Sequence, residues 1–112
     1  MYPFAPVQAW DVNAVAGSAQ TVKAAPGSGS RLVVVGWVLT DDTGGQIKMF
    51  FGSDTAANRI LNQYAAANGG SEREFAQGRC LRGAENTALL ITPPGNCYGT
   101  VYGYVEAVET VN

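Results

Sequence analysis

Two carboxylates spaced two residues apart, Glu72 and Glu74, form the pair in this chain best suited to acid–base chemistry. A β-strand would place both side chains on one face, because side chains alternate along a strand. Glycoside hydrolysis needs two carboxyl groups roughly 5–10 Å apart across a cleft, one of them with a raised pKa. A chain of 112 residues forms one domain with little room for such a cleft. We therefore interpret this pair, like Asp41 and Asp42, as solvated charges of strand edges and turns, and keep a small hydrolase as an alternative.

Other catalytic arrangements are limited by the complete absence of histidine. Histidine is the commonest general base near neutral pH, so Ser-His-Asp and Cys-His sites are excluded. Two cysteines that are not spaced as CxxC cannot by themselves build a four-ligand zinc site. The glycine-rich segment 25–31 lacks the GK[ST] ending of a phosphate loop, and segment 41–45 lacks the alternating oxygen ligands of a calcium loop. We predict no enzymatic activity, no cofactor and no metal site.

The charge and the cysteines bear on partners and compartment. The net charge is −2 and the seven cations are scattered between Lys23 and Arg82, so no basic patch indicates binding to nucleic acid or to a membrane surface. Residues 1–4 show neither the positively charged start nor the continuous apolar stretch of a secretory signal. The longest apolar run, 32–39, is too short to cross a bilayer. We expect synthesis in the cytosol. Reduced thiols are the default there, although a Cys80–Cys97 disulfide stays open for a particle that leaves the cell.

The elements that position these residues follow a period of two, interrupted by glycine and proline. Residues 1–17 are predicted to form an extended arm with a short strand near 7–13, and residues 18–112 a β-sandwich domain. The strongest strand, 31–40, is followed by an Asp-Gly turn and the returning strand 46–52. Residues 55–67 fit a helix or a strand, and we favour the strand because it keeps the hairpin rhythm. Seven to eight short strands predict a small antiparallel β-sandwich, jelly-roll-like in form.

Two of these strands predict contact surfaces. Along residues 97–108 one face carries small aliphatic residues, which suits a core, and leaves Tyr98, Tyr102 and Tyr104 facing outward as partner contacts. Strand 31–40 is apolar on both faces, which is unusual in a two-layer domain. We therefore assign one of its faces to an oligomer interface or to cover by the arm; that face comprises Val33, Val35, Trp37 and Leu39. The aromatic residues of the arm are predicted to contact a partner as well: Tyr2, Phe4 and Trp10.

The segments SAQTVKAAPGSGSRLVVVGWVL (18–39), AANGGS (66–71) and GTVYGYVEA (99–107) resemble small structural proteins of tailed bacteriophages, the capsid cement or decoration proteins. The resemblance implies a jelly-roll-like fold, symmetric oligomers that are often trimers, and binding to the outer surface of the major capsid shell. It implies no catalytic residues. We therefore expect a virion protein whose partners are the major capsid protein and its own copies. The alternative from the tyrosines is a carbohydrate- or receptor-binding module of a phage tail or fibre.

Overall fold

The computed structural model describes residues 6–76 and 79–108, which form antiparallel strands and turns without any helix. Alternating apolar residues and frequent glycine and proline turns account for this all-β content. The nine strands are β1 (Gln8–Ala14), β2 (Gln20–Lys23), β3 (Ser30–Asp41), β4 (Gly45–Phe51), β5 (Arg59–Ala65), β6 (Gly69–Glu74), β7 (Leu81–Arg82), β8 (Leu89–Thr92) and β9 (Cys97–Ala107).

The strands form two antiparallel sheets, and the predicted β-sandwich is confirmed. The first sheet has the order β1-β9-β3-β6, with β7 also paired to β3, and the second has the order β2-β8-β4-β5. When β6 and β7 are counted as one interrupted strand, the first strand pairs with the last, the second with the last but one, and so on inward to the β4–β5 hairpin. The chain is thus a long hairpin rolled into two layers, which is the jelly-roll arrangement.

A β-bulge in β3 determines which residues face the core. The pairing of β3 with β9 shifts between Val34 and Gly36, so Val35 is an extra residue on β3. Such a bulge reverses the in–out alternation of every residue that follows it. As a result Leu32 and Val34 point inward before the bulge, and Trp37 and Leu39 point inward after it.

The bulge corrects our interpretation of the doubly apolar strand. We predicted an oligomer interface on one face of the strand, formed by Val33, Val35, Trp37 and Leu39. These residues do not share a face, because Trp37 and Leu39 are core residues of the single chain. Val33 is on the outer side but fully buried, with Tyr104 and Arg82 as its cross-strand neighbours. Only Val35 of this set retains exposed surface.

The N-terminal segment also differs from an extended arm. The short strand expected near 7–13 forms as β1, which pairs with β9 along its whole length. Trp10, Val12 and Ala14 belong to the core, and the Trp10 ring packs directly on Gly103, where no larger residue would fit. The boundary that we predicted at residue 17 therefore falls inside a single domain, because β1 shares its core with the later strands. Tyr2 and Phe4 lie outside the described residues.

The remaining expectations concern β5 and the cysteines. Segment 55–67 contains the strand β5, as favoured, and no helix.

Both cysteines are free. Cys97 lies opposite Asp41, whereas Leu81, next to Cys80, lies opposite Val34, seven residues earlier on β3. A disulfide requires Cα atoms within about 7 Å, so this register keeps the two thiols apart.

Candidate partner-binding face

The outer surface of the first sheet carries the side chains with the best claim to a function. Its β9 residues alternate with the core residues Cys97 and Val101, and their neighbours across the ladder face the same way. We call this surface the tyrosine face and define it by Val7, Val38, Tyr98, Tyr102 and Tyr104.

Several large apolar side chains of the tyrosine face are open to solvent. Val7 is 58% exposed, Tyr98 48%, Val38 42% and Tyr102 40%. Tyr104 is half-buried. A rigid sheet that presents aromatic rings in this way offers large contact area with little side-chain entropy to lose on binding.

A groove of about 560 Å³ crosses this face at the bulge. Gly36 lies opposite Tyr102 on one side and opposite Glu74 on the other, so its bare backbone separates the two side chains. Glycine is required there, since an added Cβ would lie 2.5 Å from the carbonyl oxygen of Arg73. The groove is lined further by Val7, Val35, Val38 and Glu72.

The groove is bordered by negative charge. Glu72 lies opposite Val38, and Asp11 lies opposite Thr100 in the same row of the sheet. In the described residues, the acids that form ion pairs are Asp54 and Glu106, and neither belongs to the groove. The groove is therefore an apolar and aromatic depression with unpaired carboxylates at its rim.

Arg73 of β6 also lines the groove, but it pairs with the core residue Trp37 and so faces the other side of the sheet. The cations on the outer side, Arg31 and Arg82, lie at the opposite end of the sheet. Arg31 Nη2 lies 2.5 Å from Glu106 Oε1, and Arg82 Nε lies 3.3 Å from the same oxygen. Burial acts to raise the pKa of Glu106, but the hydrogen bonds and charge of Arg31, assisted by Arg82, outweigh burial and lower it. Both arginines of this cluster beside Tyr104 thus share one carboxylate, away from the acids of the groove.

Glu72 and Glu74 do not face each other across the groove. They are alternate residues of one strand, with Glu72 opposite Val38 and Glu74 opposite Gly36, so both stand on the same side with Cα atoms roughly 7 Å apart. Water reaches both, because both are exposed. Within residues 6–76 and 79–108, no group of three or more acidic or cysteine side chains is placed to hold a metal ion.

The structure agrees with some of the predicted surface residues and not with others. Tyr98 and Tyr102 face solvent as predicted, whereas Trp10, predicted as a partner contact, is a core residue that is 5% exposed. Trp10 Nε1 donates to Gln8 Oε1, and Lys23 Nζ lies 5.9 Å from the ring centroid. Val38 and Val7 were missed as surface residues. Gly36 within a strand was the available signal, because glycine inside a strand often marks a bulge.

A second depression, of about 480 Å³, lies between the β4–β5 and β7–β8 connections. Its two cations are engaged: Arg59 Nε donates to Asp54 Oδ1, and Arg82 pairs with Glu106. The depression thus offers a ligand less free charge than the groove of the tyrosine face.

No protein-family model matches the chain, and no curated protein or solved structure is similar to it. Among the described residues, no helix is long and apolar enough to pass through a membrane.

Proposed function

We propose that the chain is a structural protein of a bacteriophage virion that binds the outer surface of the major capsid shell and stabilises it without catalysis. The observation that supports this proposal is the tyrosine face, where Tyr98, Tyr102 and Val38 are each at least 40% exposed on a rigid sheet. The resemblance of segments 18–39, 66–71 and 99–107 to cement proteins supplies the partner.

The jelly roll suits this task because the docking surface needs no rearrangement before it binds. Each copy would add a modest interface, and repetition over a closed shell multiplies the effect. The expected homo-oligomer, a trimer, remains part of the proposal, but its surface must be sought outside Trp37 and Leu39.

A binding experiment with matched tyrosine variants tests the proposal. Purified chain is mixed with capsids assembled from the major capsid protein encoded with it, and bound chain is measured by sedimentation. The Tyr98→Ala/Tyr102→Ala variant should bind at least about tenfold more weakly, since buried aromatic residues dominate interface energies. Tyr64→Ala is the control, because Tyr64 is 76% exposed on β5 of the other sheet. Absence of binding by the unmodified chain would refute the proposal.

A carbohydrate-binding module is the second candidate, favoured by the neighbours of the tyrosines. Asn13 lies opposite Tyr98, and Asp11 is two residues away on the same face of β1. An amide and a carboxylate beside exposed rings can hydrogen-bond sugar hydroxyls while the rings stack on the sugar. Binding to a glycan array that is lost in the same double variant would establish this candidate, and an array without hits would eliminate it.

A further inference from the structure

We infer that the partner of the tyrosine face inserts a cationic side chain, best an arginine, into the groove between Tyr102 and Glu74, with apolar neighbours covering Val7 and Val38. The inference rests on the proposed function for the partner's identity but not for its chemistry. The first argument is spatial. Tyr102, Gly36 and Glu74 are consecutive positions across three strands, so Tyr102 and Glu74 are roughly 10 Å apart at their Cα atoms.

That width suits a flat cation. A guanidinium between the two side chains would lie within the roughly 6 Å at which an aromatic ring attracts a cation, and its N–H groups could reach the carboxylate. Because Gly36 has no side chain, the guanidinium can approach the backbone of β3 between Tyr102 and Glu74. An arginine with aliphatic neighbours therefore matches the aromatic side, the acidic side and the apolar rim of the groove.

The second argument is electrostatic. Glu72 and Glu74 line the groove and Asp11 lies opposite Thr100 in the neighbouring row of the sheet; none of the three forms an ion pair with a described residue. Arg73 does not neutralise Glu72 and Glu74, because it faces the other side of β6, where its guanidinium lies 5.4 Å from the Phe75 ring centroid. A partner without a cation would dehydrate these carboxylates without compensation.

The same charges disfavour a second copy of this chain as the occupant. Docking of two tyrosine faces about a two-fold axis through the groove would bring the carboxylates of both copies together. The cations that belong to this sheet's outer side, Arg31 and Arg82, are already held by Glu106. Symmetric interfaces use the same patch twice, so the mismatch would recur on both sides.

The first experiment measures capsid binding of charge variants. Glu72→Gln/Glu74→Gln should weaken binding roughly fivefold or more, because each partly exposed ion pair contributes a factor of about two to five. Raising sodium chloride from about 50 mM to about 300 mM should weaken the unmodified chain and affect the variant little. Glu85→Gln is the control: it removes one carboxylate charge outside the groove lining, and its amide oxygen can still accept the Gly29 N–H, 2.8 Å from Glu85 Oε2.

The second experiment needs no capsid. The chain is titrated with the peptide amides acetyl-Leu-Arg-Leu and acetyl-Leu-Glu-Leu while amide NMR shifts are recorded. The arginine peptide should shift Gly36 and Tyr102, and the glutamate peptide should not. Shifts confined to the arginine peptide with no capsid binding would sustain this inference and reject the proposed function. Capsid binding that is insensitive to salt and to Glu72→Gln/Glu74→Gln would do the reverse. Self-association that disappears in Tyr102→Ala would overturn the inference in favour of a second copy.

Discussion

Trp37 Nε1 donates a 3.0 Å hydrogen bond to Ser71 Oγ, and this contact is buried within the fold. Ser71 in turn donates to Gln63 Oε1 at 2.9 Å, so the chain of bonds runs from the first sheet to β5 of the second. Phe75 packs edge-on against the Trp37 ring, with centroids 5.5 Å apart. The Trp37 ring is thereby held in place, and its buried N–H group has a hydrogen-bond acceptor.

Removing the Ser71 hydroxyl should destabilise the chain. In Ser71→Ala the buried indole N–H loses its acceptor, which costs about 1–3 kcal/mol of the free energy of unfolding. Urea titration followed by tryptophan fluorescence measures the loss. Ser28→Ala, at an exposed turn, should change stability by less than about 0.5 kcal/mol. Equal effects of the two substitutions would contradict the assigned role.

Asp41 should be more important for stability than its neighbour Asp42. The Asp41 carboxylate is fully buried and accepts the N–H groups of Thr43 at 3.0 Å, Gly44 at 2.9 Å and Gly95 at 3.2 Å. Asp41→Ala leaves these donors without their acceptor and should cost about 3 kcal/mol or more. Asp42→Ala, at an exposed site, should cost less than about 1 kcal/mol in the same urea titration. A reversed order would refute the interpretation.

Acid should destabilise the fold through carboxylates whose pKa values are lowered. Hydrogen bonds from Arg59 and Lys48 lower the pKa of Asp54 below 3.8, and Arg31 lowers that of Glu106 below 4.5 against the effect of burial. The unfolded chain therefore takes up protons first as the pH falls. The free energy of unfolding should be level above about pH 5.5 and decrease below about pH 4.5. Glu106→Gln should flatten this decrease in urea titrations at stepped pH, and an unchanged slope would contradict it.

The two thiols should differ in reactivity. Burial, followed by the charge of Asp41, raises the pKa of Cys97 to about 11, so about one molecule in a thousand carries the thiolate at pH near 8. Cys80 is only partly buried. With Ellman's reagent the native chain should release one thiol equivalent quickly, and Cys80→Ser should abolish that phase. Both thiols should react in denaturant; the absence of both equivalents there would indicate a Cys80–Cys97 disulfide.

The all-β class was predictable because period-two patterns and turn residues are local signals. The strand order was not, because it depends on pairings between distant segments such as β1 with β9. The faces of 97–105 were predicted correctly, since Cys97, Val101 and Val105 contact the core and Tyr98 and Tyr102 are exposed, whereas Ala107, predicted to face the core, is exposed. The faces of β3 were predicted wrongly after Val34, because one inserted residue reverses the alternation and composition does not reveal it.

The central position of β9 has a consequence for synthesis. β9, the last of the described strands in chain order, lies between β1 and β3, so β1 and β3 cannot be joined into one sheet until residue 107 has left the ribosome. Until then β1 and β3 expose unpaired backbone edges, which invite association with other nascent chains. Formation of this sheet should therefore be slow, since its defining contacts join distant segments. A ribosome stall before Cys97 would leave an aggregation-prone intermediate.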